Sequence, residues 1–126
     1  MKRVDLLKKV KKRKDSIGLT IDNIAKLTNL GNRTVARFFA GEDVKLSTLE
    51  KITEVLGLDF AGEELIDIET LRENRAKEKA LYIVSLVQDT SSLEKQGLNN
   101  KELELLIKDT QMQFLTGEYQ KHLWAN

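Results

Sequence analysis

The chain has 126 residues, 40% of them hydrophobic and 33% charged, with a formal net charge of +1. That balance suits a packed helical or mixed domain rather than a disordered chain. It has no cysteine and one histidine, His122, which excludes disulfide frameworks, thiolate zinc sites, multi-histidine metal sites and cysteine nucleophiles. No apolar run reaches the ~20 residues of a membrane span, and the basic start lacks the apolar core of a signal peptide, so the expected location is cytoplasmic. No proline and long stretches of helical periodicity predict an all-α fold.

Val4, Leu7 and Val10 predict an amphipathic helix over about 3–16, ended by Gly18. It carries most of a local basic excess: Lys2, Arg3, Lys8, Lys9, Lys11, Lys12, Arg13 and Lys14. Such a run reads first as a solvated face. Thr20 stands at an N-cap position, but Asn23 rather than Glu or Gln follows three residues on, so the capping box is expected to be incomplete. Ile24, Ala25 and Leu27 give a two-turn helix that stops at Thr28-Asn29, where Asn29 can take a left-handed turn. Gly31 opens a third helix with apolar Val35, Phe38 and Phe39, closed by Gly41. Ser47 with Glu50 reads as a complete S-x-x-E box starting a fourth helix, which ends at Gly57.

Asp59 to Ile68 reads as an acidic connector with room for a short helix. Its Glu63, Glu64, Asp67 and Glu69 lack an oxygen-ligand loop pattern, so a solvated surface is expected rather than a metal site. Residues 70–88 form the longest helical candidate, with a stripe of Ala76, Ala80, Ile83, Val84 and Val87. Asp89-Thr90-Ser91-Ser92 looks like a turn. Asn99-Asn100 caps another helix, bearing Leu103, Leu106, Ile107, Met112, Phe114 and Leu115 and ended by Gly117. Tyr119, Leu123 and Trp124 make a final short apolar segment. The charge divides with the chain: residues 1–60 hold thirteen Lys/Arg against eight Asp/Glu, and residues 61–126 hold eight against twelve. Two units are expected, 1–60 and a helical extension over 61–126.

One constellation spans forty positions: Leu19-Thr20, Ile24-Ala25, the turn at Asn29-Leu30-Gly31, Thr34-Val35, Phe38, Gly41, and Leu49 through Leu56-Gly57-Leu58. It resembles the helix-turn-helix of Cro/C1-type (lambda repressor-like, XRE family) regulators. The resemblance implies an all-α lambda repressor-like domain followed by a helical C-terminal extension. Val35 and Phe38 would face inward, leaving Asn32, Arg33, Ala36 and Arg37 outward on a helix that can enter a major groove about 12 Å wide. Arginine can bridge guanine O6 and N7, and asparagine can bridge adenine N6 and N7. The resemblance thus implies base contacts from Asn32, Arg33 and Ala36 or Arg37, with Thr34 a lesser candidate. It places Lys45, Ser47 and Thr48 for backbone contacts, and Lys8, Lys11 and Lys12 can reach flanking phosphates. The residue after the first cap, commonly glutamine in this family, is Ile21 here, and Glu42 and Asp43 bring negative charge close to the expected DNA surface.

No catalytic group, metal site or cofactor is expected; His122 has no second histidine or cysteine, and Tyr82, Tyr119 and Trp124 read as core aromatics. The expected function is a sequence-specific double-stranded DNA-binding transcriptional regulator, a dimeric repressor whose extension forms the homodimer, with no membrane partner. The alternative is an antitoxin-like protein whose residues 61–126 bind a partner toxin while the helix-turn-helix represses the shared operon.

Overall fold

The computed structural model describes residues 3–93 and 99–125, with side chains described over 4–86 and 99–125. Its elements are α1 (Arg3–Ile17), α2 (Ile21–Thr28), α3 (Asn32–Phe39), α4 (Leu46–Val55), α5 (Ile68–Leu93), α6 (Asn100–Thr116) and a 3-10 turn at Gln120–His122. The fold is all-α; among the described residues the one extended pairing is an isolated antiparallel bridge between Leu58 and Glu64. None of the described helices is long and apolar enough to cross a membrane. The chain divides into two compact units, Met1–Leu71 and Arg72–Ala125. Residues 61–71 therefore pack with the first unit, beyond the boundary at 60 that the composition suggests.

In the first unit, α2 packs on both α3 and α4. The core comprises Val10, Ile17, Leu19, Ile24, Ala25, Val35, Phe38, Phe39, Ile52, Leu56 and Leu58. All four helices end on a left-handed residue: Gly18, Asn29, Gly41 and Gly57. After α3, the Glu42 amide donates to Arg37 O and the Gly41 amide to Phe38 O, a closure that satisfies carbonyls the helix end would otherwise leave open. Asn29 makes the same closure after α2 at φ 58°, ψ 30°, which sets the sharp turn into α3.

Three local expectations change. The capping box of α2 is complete: Thr20 Oγ1 accepts from the Asn23 amide at 3.0 Å, and Asn23 Oδ1 accepts from the Thr20 amide at 3.1 Å. The asparagine carbonyl is short but still reaches back, so Glu or Gln is not required. Ser47 does not cap α4. The Lys45 carbonyl already accepts from the Thr48 and Leu49 amides, making Lys45 the cap residue, and Ser47 lies in helical backbone where its hydroxyl cannot serve as the cap. The connector holds no helix; its Asp59 carboxylate accepts from the Ala61 and Glu63 amides and shapes a turn.

The basic run on α1 is not uniformly solvated. Lys8, Lys11 and Lys12 are exposed, but Arg13 is only 8% exposed. Its Nε donates to Leu56 O at 2.8 Å, its Nη1 pairs with Glu64 and its Nη2 donates to Ile66 O. One guanidinium thus joins α1 to the end of α4 and to the connector. Lys14 is also drawn in, its ammonium 5.8 Å from the Phe39 ring centroid. The acidic connector answers this charge: Glu63 pairs with Lys9, Glu64 pairs with Arg13, and Asp67 accepts from the Thr70 amide at 2.8 Å at the start of α5. The Thr70 hydrogen bonds hold the Asp67 pKa below its ordinary 3.8.

In the second unit, α5 carries on through Asp89–Ser92 to Leu93, where a turn was expected. Neither proline nor glycine interrupts Ile68–Leu93, and Asp, Thr and Ser cost a helix only a fraction of a kcal/mol each, about 0.7 at most. Of the expected stripe, Ala76, Ala80 and Val84 are buried and Ile83 half-buried; the Val87 side chain lies outside the described residues. Ala76, Phe114 and Leu123 form the core, with Ile83, Leu115 and Trp124 against it. Arg75 ties α5 to the C-terminal segment by donating to Leu123 O and Ala125 O, both at 2.9 Å. Asn99 caps α6 as expected, accepting from the Glu102 amide at 2.8 Å. Tyr82 and Tyr119 are exposed rather than core, although Tyr119 keeps a ring contact with Phe114 at 5.3 Å.

Candidate nucleic-acid interface

The hydrophobic pattern of α3 decides which of its side chains reach solvent. Val35, Phe38 and Phe39 are buried, and Phe38 and Phe39 meet edge to face with ring centroids 5.1 Å apart. These anchors turn Asn32, Arg33, Ala36 and Arg37 outward, and all four are exposed. Spaced at i, i+1, i+4 and i+5, they lie along one stripe of the helix. Thr34 is half-buried at its edge. The buried Ala25 in α2 places no bulk between the paired helices, and Gly31 opens α3 without a side chain over its first amides.

Residues 10–62 match the helix-turn-helix family model. This segment is a helix-turn-helix domain of the Cro/C1 type. The match supports a DNA-binding regulator and covers the packed part of the first unit, from the middle of α1 into the connector. No curated protein and no solved structure shows a significant match to the chain.

The polar groups of the stripe are held in different ways. Asn32 Nδ2 donates to Asp22 Oδ1 on α2 at 3.0 Å, and the other oxygen of that carboxylate meets Lys26 Nζ at 3.1 Å. The Asn32 hydrogen bond, then Lys26, lower the Asp22 pKa below its ordinary value. Arg37 Nε stands 3.7 Å from Glu42 Oε2, a solvent-exposed pair. Arg33 has no hydrogen-bond or ion-pair partner among the described residues. Lys45 and Ser47 are exposed at the start of α4. Thr48 is not: it is 7% exposed, on the inner face of α4 with Ile52 and Thr53, so its side chain is not presented to a phosphate. Ile21, at the position commonly glutamine in the family, is half-buried.

Asp22 is the site residue that sequence reasoning passed over. Its ten-residue separation from Asn32 matches no local pattern, and only the turn between α2 and α3 brings the two together. The available signal was its place in the first turn of α2, one residue beyond the usual glutamine.

Proposed function

We propose that this protein is a sequence-specific double-stranded DNA-binding transcriptional regulator that acts as a dimeric repressor in the cytoplasm. One observation carries the reading: α3 buries Val35, Phe38 and Phe39 and thereby presents Asn32, Arg33, Ala36 and Arg37 together on one exposed stripe. Arg33 and Arg37 are suited to guanine edges, Asn32 to adenine, and Ala36 to a thymine methyl. Thr34 stands by for a base or phosphate oxygen. Lys45 and Ser47, with Lys8, Lys11 and Lys12 on α1, supply phosphate contacts. A single reading helix covers half of a site, so a two-fold dimer reads an inverted repeat. The second unit exposes Leu81 and Tyr82 on α5 and Leu105 and Met112 on α6, apolar surface that a second copy would cover.

Selection from random duplex DNA at two salt concentrations, with sedimentation of the full chain at micromolar concentration, tests this. The expected result is an inverted repeat with half-sites one helical turn apart, and a dimer. Affinity should fall with salt by about 0.9 log unit per log unit of salt for each phosphate neutralised. Salt-sensitive binding without sequence enrichment would remove the reading role, and a monomer would remove the dimer.

The same exposed apolar residues favour one second reading, an antitoxin-like protein that covers a partner toxin with residues 61–126 and represses the shared operon through α3. A neighbouring gene product that co-purifies with the full chain, and whose toxicity the chain relieves, is the result that reading requires.

A further inference from the structure

We infer that Asp22 is a specificity-determining positioning residue: it fixes the amide of Asn32 so that the side chain reads adenine and rejects guanine. This rests on the proposal that α3 reads duplex DNA. An asparagine amide can turn over, exchanging its carbonyl oxygen and its NH2 group. Asp22 removes that freedom. Its pKa lies below the ordinary carboxylate value, so near neutral pH it can only accept, and the group facing it across 3.0 Å must be Nδ2. Lys26 engages the other carboxylate oxygen at 3.1 Å, which sets the orientation of the carboxylate itself. The Asn32 amide is left with one N–H and the Oδ1 oxygen uncommitted.

A side chain offering one donor beside one acceptor matches the major-groove edge of adenine, which presents N7 as acceptor and N6–H as donor. Guanine presents two acceptors, N7 and O6. Against guanine the fixed amide would bring Oδ1 to O6, oxygen against oxygen. Without Asp22, both N–H groups of Asn32 are available and can turn toward the guanine pair.

The carboxylate also has a cost for affinity. Asp22 is exposed and carries negative charge close to a surface meant for phosphates. Lys26 offsets that charge only in part, since the pair lies in solvent, where screening is strong. Removing Asp22 therefore has two effects of opposite sign, tighter binding to any duplex and weaker discrimination at one base pair. A purely structural or purely electrostatic role produces one of these at most.

The experiment uses the full chain as wild type, Asp22→Ala, Asp22→Asn, Asn32→Ala and the Asp22→Ala/Asn32→Ala double variant, each taken through selection from random duplex DNA. Affinities for the wild-type site and for its adenine-to-guanine variant at the Asn32 position are then measured by fluorescence anisotropy. Asp22→Ala should bind unrelated duplex more tightly and lose about fivefold or more of its adenine-over-guanine preference at that position alone. Asp22→Asn, which can turn its NH2 group as well as its oxygen toward Asn32, should also bind unrelated duplex more tightly and lose the preference. The double variant should discriminate no worse than Asn32→Ala. If Asp22→Ala keeps the wild-type preference at every position, the positioning role is overturned while DNA reading stands. If the wild type itself selects no sequence, both fall. Full retention of the preference in Asp22→Asn would also overturn the argument that an acceptor-only group fixes the amide.

Discussion

Replacing Arg13 by methionine isolates what the buried guanidinium contributes, because the aliphatic stem is retained while all three polar contacts are lost. The Leu56 carbonyl lies at the C-terminal end of α4, where helix carbonyls lack intrahelical partners and the dipole favours a cation. The Ile66 carbonyl lies in the connector, whose Leu65 and Ile66 amides both return to Gly57 O, at 2.8 and 3.1 Å. Leaving two such carbonyls without their donor costs about 1–3 kcal/mol each. The Glu64 partner is 53% exposed, so that ion pair is screened and adds about 1 kcal/mol at most. Arg13→Met should therefore destabilise the first unit by roughly 4 kcal/mol, and Glu64→Gln by less than about 1 kcal/mol. The one tryptophan, Trp124, belongs to the second unit, so its fluorescence reports the wrong region. Urea unfolding followed by far-ultraviolet circular dichroism gives the stability, and amide exchange gives the location. The Leu65 and Ile66 amides should exchange faster in Arg13→Met, while the Leu123 amide keeps its wild-type rate. A loss under about 1 kcal/mol, or equal losses in the two variants, would refute the carbonyl-based account.

The remaining predictions concern glycine geometry, a carboxylate cap and the reading face. Gly57→Ala and Gly18→Ala both place a side chain at positive φ, 70° and 89°, which costs about 1 kcal/mol. At Gly57 the new Cβ also meets Ile66 O at 3.0 Å and Leu71 Cδ1 at 3.1 Å, whereas at Gly18 nothing lies within 4 Å, so the urea midpoint should fall clearly further for Gly57→Ala. Asp67→Ala should lower stability at neutral pH. Because folding depresses the Asp67 pKa, its contribution is complete above 3.8 and is lost as pH falls through the folded-state value, so the wild-type and variant curves should converge in acid. A constant gap from neutral pH into acid would contradict the cap. Glu42→Gln releases Arg37 and removes a negative charge, and it should tighten binding to the selected site about two- to fivefold by anisotropy; unchanged affinity would mean that Glu42 does not compete for that side chain.

The parts of this fold legible in the sequence are those decided within a few residues. Asn29, Gly41 and Gly57 marked helix ends because few residues accept a left-handed backbone, and Val35 and Phe38 oriented α3 because a two-turn helix has one inner face. Capping was less secure. Ser47 and Glu50 fit a motif that the structure does not use, since the Lys45 carbonyl opens α4 first, whereas Asn23 completes a box in which the sequence motif calls for Glu or Gln. Arg13 was illegible. In sequence it is one of eight basic residues in fourteen positions, and its burial follows from α4 and a connector more than forty residues away. The Asp67 cap likewise sat inside an acidic cluster whose composition gave no sign that each carboxylate had separate employment.

Read as a DNA surface, the exposed stripe of α3 is more acidic in its surroundings than its own residues suggest. Asn32 leans on Asp22 from α2, and Arg37 lies beside Glu42 from the loop after α3, so two of its three long polar side chains are partnered before any ligand arrives. Exposed pairs of this kind contribute little to stability, about 0–1 kcal/mol, and stability alone is a weak reason for them. Their effect on binding is larger in kind. On the proposed function each carboxylate would lower affinity for every duplex through phosphate repulsion, and each would restrict the directions in which its partner can point. A duplex offering the matching base edge recovers the second effect; a mismatched one bears both. On the proposed function the arrangement would give up general grip, which the exposed lysines of α1 and Lys45 would restore through phosphates, in exchange for discrimination concentrated on Asn32 and Arg37. Arg33, whose side chain has no such partner among the described residues, should tolerate its base most loosely of the three, and the selected site should be least sharply defined at the position it contacts.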